Sequence, residues 1–509
     1  MKLSPRSAPV LAAALVLGVA LVLYVPTLLP DVGTWDTAEF QAIGPTLGVA
    51  HPTGYPTYTL LAWLASVLLQ PFGNEAYRAD LLSALLVAGA AALLAVRATQ
   101  VTQRWPLGVF AGLAFAVTPV AWRVATRADA HALHVFLAAA LLVLLGVWQA
   151  RRKTDPVRAG RWLIAVGLVY GLSLGNHALT LLLAPGIAVF VLLVAPRILW
   201  QEWRTVLLSL GAMALTAALV YLYLPLRSAM EPPLDYADPQ TWESFWYVVL
   251  GEQFQGAFRG LPPLADLVSG VWDELVRDFG LPAVLVLAGA VLGVARHPRL
   301  LALTGLWFVC SWLFAVGYPN AQIERYYLVP LLVSALWIAL AADAVLDAMR
   351  DLLRPGRAAV YRVAASGLVA VLLLVAVLPL PDRFARMDAS DETYGRRWLE
   401  ATFAALEPEA AVVSWWSYST PMWYGRWVEG RREDIVIVDD RDVLDDGYGS
   451  AEGAVDRFLD ERPTYIIRLD KDLPRFRARY ELEHVDTVRG PGQLYKVTGR
   501  REQADPGAG

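Results

Sequence analysis

With one cysteine, Cys310, in 509 residues, the chain can close no internal disulfide, and its redox compartment stays open. Charge is scarce too: Asp, Glu, Lys and Arg make up 18% of the residues, against 57% that are hydrophobic. A soluble chain of this length carries more charge than that. No Cys and His spacing of the zinc-binding kind occurs. No block of basic residues marks a nucleic-acid surface, and the net charge of −4 gives no reason to expect one. No internal repeat is visible.

What is there instead is a series of long apolar runs, with a mean hydropathy of +0.45. They centre on residues 9–29, 79–97, 106–121, 131–149, 161–175, 178–194, 205–224, 281–295, 300–316, 326–347 and 359–379. Runs of this length predict a polytopic α-helical membrane protein of about eleven transmembrane helices. The first run follows Lys2 and Arg6, but it is too long for a signal-peptide core and no A-x-A site follows, so it reads as a retained span. The apolar stretch Thr57 to Gln70 is short, and suits an interfacial or re-entrant helix.

Loop charge then orients the chain. Arg97, Arg104, Arg151, Arg152, Lys153, Arg158, Arg161, Arg197, Arg204, Arg296, Arg299, Arg350, Arg354, Arg357 and Arg362 fall in alternate loops. The short loops between them hold only Arg78, Arg123, Arg127 and Arg325. The positive-inside rule places the first group in the cytoplasm with the N-terminus. In that reading a membrane domain occupies 1–380, and loops 30–78 and 225–280 face outward. From 381 the composition shifts. Strand-like runs at 434–438, 464–467 and 493–497 alternate with helix-like segments near Glu392 to Leu406 and Ala451 to Asp460. An extracytoplasmic α/β domain over 381–500, followed by a disordered tail at 501–509, is expected.

The first outward loop reads DVGTWDTAEFQAIGPTLGVAHPTGYP, with three acids, a histidine and no Lys or Arg. Asp36 and Glu39, three apart, share one face of a helix. D-T-A-E is also a capping-box-like pattern, and the two readings can coexist. In His51-Pro-Thr-Gly-Tyr-Pro56 the prolines stiffen a loop that would hold His51 and Tyr55 at a set height, although a plain structural turn accounts for the pattern as well. The next outward loop carries Arg123, Arg127, Asp129, His131 and His134. Asp129 and His131 could join Asp36 around a divalent metal, a set with no diagnostic spacing. His177, at the third outward turn, could cap a helix. Arg227 and Arg325 sit at the outer ends of spans, where an arginine either snorkels to the headgroups or grips a phosphate. The aromatic cluster Trp415, Trp416, Tyr418, Trp423, Tyr424 and Trp427 reads first as packing and second as a sugar-stacking face.

Several segments together resemble a known family: Trp35-Asp-Thr-Ala-Glu-Phe40, Leu47-Gly-Val-Ala-His-Pro-Thr-Gly-Tyr-Pro56, Tyr77-Arg-Ala-Asp-Leu-Leu-Ser-Ala84, Leu172-Ser-Leu-Gly-Asn-His177, Tyr221-Leu-Tyr-Leu-Pro-Leu-Arg227 and Glu324-Arg-Tyr-Tyr327. The family is the multi-spanning one, catalogued as a domain of unknown function, whose animal member is a protein O-mannosyltransferase of the endoplasmic reticulum. Pro421-Met-Trp-Tyr424 and Val428-Glu-Gly-Arg431 look like the outer domain of its bacterial members, while Ser414-Trp-Trp-Ser-Tyr-Ser419 departs from their acidic stretch. The resemblance implies a C-type glycosyltransferase fold and a polyprenyl-phosphate-sugar donor. It also implies a catalytic base in the first outward loop, where Asp36 stands, with Asp129 as the second acid. Glu39, His51, Tyr55, Asp129, His177, Arg227 and Arg325 are then the expected substrate-binding residues. The expected acceptor is a protein Ser or Thr, or a cell-envelope glycan or lipid. A transporter or flippase of a lipid-linked or anionic substrate is the alternative, but it would gather its charges near mid-span. A receptor or scaffold is the third reading.

Overall fold

The structure, a computed structural model, describes residues 7–353, 357–439, 447–488 and 492–501. Lys2, Arg6, Arg354 and all of the expected tail except Arg501 lie outside the described residues.

The chain runs through α1 (Ser7–Tyr24), α2 (Asp36–Thr46), α3 (Pro56–Leu68), α4 (Glu75–Thr102), α5 (Trp105–Ala116), α6 (Pro119–Ala125) and α7 (Ala130–Thr154). Among the described residues, seven helical runs are long and apolar enough to cross a bilayer: Ser7–Thr27, Glu75–Thr102, Ala130–Thr154, Trp203–Ser228, Pro298–Gly317, Ile323–Leu352 and Ala358–Met387. Two bent pairs raise the number to nine, α5 with α6 at 71° and Leu264–Phe279 with Ala283–Arg296 at 114°. Proline explains the first bend: Pro119 opens α6 without an N–H to continue α5, and Thr118 caps the new start by accepting from Ala121 N at 3.3 Å. At the second, Gly280 takes φ 64° just ahead of Pro282. The other two runs of the expected eleven are the 19-residue helix Pro156–Leu174 and the shorter apolar stretch Ala178–Val194.

Burial sorts these helices into layers. The most apolar windows of Glu75–Thr102 and Ile323–Leu352 are 78% and 89% buried, so these two form the centre of the bundle. In Trp203–Ser228 and Ala358–Met387 the share is 6%, and Leu215, Leu219, Val363 and Val371 point outward where lipid would cover them. The protein is an integral membrane protein. Helix α3, at 13 residues, rises only about 20 Å, short of the roughly 30 Å hydrocarbon core. It packs close to α2 because Gly44 has no side chain; a Cβ there would fall 2.8 Å from the Ala62 Cβ.

After the last span a five-stranded sheet forms, in the order β2 (Val436–Val438), β1 (Ala411–Val413), β3 (Thr464–Leu469), β5 (Gly492–Arg500) and β4 (Tyr480–Val485). The first three strands are parallel, and β5 pairs antiparallel with both β3 and β4, with Val412 opposite both Ile437 and Tyr465. Helices Tyr394–Ala405 and Ala451–Phe458 accompany it.

This domain is clamped to the first loop. Arg396 holds Asp31 with two hydrogen bonds, 2.9 and 2.6 Å, and its guanidinium also pairs with Glu429. The Tyr424 hydroxyl accepts from the Ala76 N–H at 3.1 Å, and Arg127 pairs with Glu392.

Candidate active site

Three elements converge at one end of the bundle, and each starts at a non-glycine residue with positive φ. Trp35 (φ 58°) precedes α2, Tyr55 (φ 47°) precedes α3, and Gln322 (φ 57°) precedes the 3₁₀ turn Ile323–Tyr327. Left-handed backbone costs such residues on the order of 1–3 kcal/mol each and persists where surrounding structure enforces it. These three kinks aim Asp36, His51 and Arg325 at the same space.

Asp36 is the first residue of α2, and its carboxylate pairs with the Arg325 guanidinium. The other arm of Arg325 donates to Asp129 Oδ2 at 3.2 Å, so one cation bridges two acids from different loops. Asp129 caps α7: its Oδ1 accepts from the His131 backbone N–H and faces His131 Nδ1, both at 2.8 Å. Burial would raise the Asp36 carboxyl, but Arg325 and His51 hold it below the usual carboxylate range. In Asp129 burial is likewise outweighed by Arg325 and His131.

Glu39 does not close a capping box. Trp35 is the N-cap and its side chain makes no capping bond, while the Glu39 carboxylate turns to the 51–55 loop. It accepts from the His51 backbone N–H at 2.9 Å and from the ring at Nδ1. Burial would lower the His51 ring, but Glu39 and Asp36 raise it above its ordinary value. Nε2 of His51 lies 3.2 Å from the Tyr55 hydroxyl. Behind them Gln41 donates to both Asp80 oxygens, at 3.1 and 3.0 Å, and Asp80 also accepts from the Ala128 N–H. That network fixes α2 against α4 and the loop before α7.

The residues open onto a cavity of about 740 Å³. Asp36, His51, Tyr55, His177 and Arg325 line it; Glu39 and Asp129 lie just behind. His177 accepts from the Leu179 N–H through Nδ1, and so caps a 3₁₀ turn while its ring meets His131 at 4.7 Å. Burial, with His131 and His134 beside it, keeps the His177 ring well below its ordinary value, hence neutral. Arg227 does not reach the cavity. It donates to the Leu47 and Thr46 carbonyls at 2.7 and 3.1 Å, ending α2 where helix carbonyls lack partners.

Aromatic walls complete the cavity, and sequence reasoning did not place them. Phe254 and Gln253 come from the 225–280 loop, Tyr318 and Tyr326 from either side of the Gln322 kink. Trp416 enters from the domain after the last span and meets the His51 ring edge-on at 5.6 Å. Most of its cluster is packing, with Tyr418, Trp423 and Tyr424 buried, and Trp415 set edge-on against Trp35. Tyr326 adjoins Arg325 in sequence, which was a usable signal; nothing separated Trp416 from its neighbours.

Among the described residues no group of three or more His, Cys, Asp and Glu is arranged to hold a metal ion. Arg325 stands between Asp36 and Asp129, two of the three residues that could join around a divalent metal, and pairs with both.

Residues 36–198 match the family model described as the protein O-mannosyl-transferase TMEM260 N-terminal domain. Mouse protein O-mannosyl-transferase TMEM260 is 31% identical over 201 residues, covering 38% of this chain and 27% of the mouse protein. The chain therefore matches about a quarter of that relative's length. Two solved structures share the architecture. ArnT from Cupriavidus metallidurans bound to undecaprenyl phosphate aligns at a TM-score of 0.58 and 14% identity, over 95% of this chain and 97% of that one. The Archaeoglobus fulgidus oligosaccharyltransferase in its apo form gives 0.58 and 15%, over 94% and 73%. The chain has the C-type glycosyltransferase fold.

Proposed function

We propose that the protein is a membrane glycosyltransferase that moves a hexose, mannose first among candidates, from a polyprenyl-phosphate carrier to a hydroxyl acceptor. The acceptor is a protein Ser or Thr, or a cell-envelope glycan or lipid. The observation that carries this reading is the Asp36–Arg325 ion pair lining a cavity at one end of an apolar bundle. The likeness to the O-mannosyl-transferase family and the lipid carrier named with ArnT support it.

In the transfer, the acceptor O–H gives its proton to an Asp36 oxygen while the acceptor oxygen forms its bond to the anomeric carbon on the face opposite the phosphate. The bond from that carbon to the phosphate oxygen breaks, and the carrier leaves as a polyprenyl phosphate. That leaving group needs a cation more than an acid, and Arg325 is the cation. Here the ion pair has a use. While Arg325 holds Asp36 the carboxylate is a weak base; a donor phosphate drawing the guanidinium away removes that restraint, so the base strengthens when donor is present. Asp129 keeps its hold on the other arm and limits how far Arg325 moves. Glu39 and His51 fix the loop that carries Tyr55, and His177, neutral, offers an uncharged wall.

A transporter would gather its charges near mid-span, but these lie where helices begin. The reaction centre faces outward, with Arg97, Arg151 and Arg296 on the cytoplasmic side. The purified chain should transfer labelled mannose from polyprenyl-phosphate mannose to a hydroxyl acceptor, and a folded Asp36→Asn variant should not. Equal turnover in the two would remove the proposed base. Cysteines placed at Glu243 and Thr154, in a Cys310→Ala background, should label from opposite faces.

A further inference from the structure

We infer that the bundle carries a second binding site, for a phosphate-bearing anion, at the end opposite Asp36. A cavity of about 800 Å³ opens there, lined by Arg97 of α4, Arg151 and Lys153 of α7, and Arg296, His297 and Arg299 at the turn between helices Ala283–Arg296 and Pro298–Gly317. Arg97 lies 17 residues along α4 from Asp80, a rise of about 25 Å. Among the described residues no Asp or Glu lines this cavity.

The positive-inside rule accounts for exposed cations such as Arg151, Lys153 and Arg299, whose charges sit in water beside the bilayer. It does not account for Arg97, which is 6% exposed. Its guanidinium has no hydrogen bond or ion pair among the described residues, and its Nε is buried without a partner. Space is nonetheless kept for it. A Cβ on Gly146 would fall 2.3 Å from Arg97 Nη1 and 2.6 Å from Cζ, so α7 has no side chain where the guanidinium lies.

Acids are at hand nearby and are committed elsewhere: Arg104 pairs with Asp343 and, at 2.7 Å, with Asp347, which also holds Arg296. Arg152 pairs with Glu202. A buried cation without a counter-charge is costly, and a ligand that brings the charge removes the cost. The ligand chemistry follows from the donors. A planar guanidinium with further cations and the Gln100 and Gln149 amides around it suits a phosphate ester, which accepts several charge-assisted hydrogen bonds at once. Such a phosphate belongs either to the headgroup of an anionic phospholipid in the leaflet on that side or to a free soluble ester.

The two sources separate in one experiment. The full chain in phosphatidylcholine nanodiscs is melted with and without inorganic phosphate, and again with phosphatidylglycerol in the disc. Stabilisation by inorganic phosphate assigns a soluble anion, and stabilisation by phosphatidylglycerol alone assigns a headgroup. Arg97→Gln should weaken the stabilising anion about ten- to a hundredfold, the loss of a charge-assisted contact. In plain phosphatidylcholine without phosphate the same variant should melt no lower than the parent, whereas an arginine with a purely structural role would melt lower when replaced. A double Arg151→Ala, Arg299→Ala variant leaves the packed interior alone and should weaken binding severalfold, which keeps the test open should Arg97→Gln fail to fold. The site is disproved if neither probe stabilises the parent, or if both variants respond as the parent does.

Discussion

The two ends of the bundle treat buried arginine in opposite ways. At the Asp36 end, Arg325 is shared between Asp36 and Asp129, each from a different loop. At the other end, Arg97 is buried against a glycine, and among the described residues no Asp or Glu lines its cavity. A cation with its counter-charges built in is already satisfied and must exchange partners to act. One without them is incomplete until something arrives. The first arrangement suits turnover, in which a phosphate enters and leaves; the second suits a resident or regulatory ligand.

The sharpest way to break the comparison is Asp36→Asn. It keeps the shape of the pair while removing the proton acceptor, and should lower transfer of labelled sugar by about 10²–10⁴-fold with donor still bound. Next is Arg325→Ala, which leaves two buried carboxylates facing each other. Chemical denaturation should show a loss of about 3–5 kcal/mol, with Arg325→Lys recovering part of the stability but only one of the two contacts. Arg97→Leu should have the opposite sign in phosphatidylcholine without phosphate, a gain of about 1 kcal/mol or more, because it removes an unpaired charge. If both arginine variants destabilise alike, the contrast between the ends fails. The smallest effect concerns pH. The folded state raises the His51 ring above its ordinary value through Glu39 and Asp36, so its contribution is complete at mildly acid pH. It is lost as pH rises through the raised value. Melting temperature followed from mildly acid to alkaline pH should fall in the parent and stay flatter in His51→Gln.

Much of this architecture was legible because lipid imposes a simple code: an apolar run of sufficient length must be a helix. All eleven expected span centres fall on helices, though two belong to bent pairs and Ala178–Val194 is short. Small strands were harder. β1 has three residues, all buried between two parallel neighbours, so no alternation betrays it; β4, Tyr480–Val485, is an edge strand whose charged residues read as a polar loop. At the cavity, the residue types were readable but their partners were not. Asp36 and Arg325 stand 289 positions apart, and only the folded chain shows that they meet. Asp36 and Glu39 looked like one pair on one helix face, yet each serves a different loop. Arg227, second to Arg325 as a candidate phosphate ligand, has its guanidinium on the carbonyls that end α2.

Trp416 closes over His51 from a domain made after the last span, whereas Asp36 belongs to the first loop. The chamber is therefore complete only once the domain after the last span has folded back over the first loop.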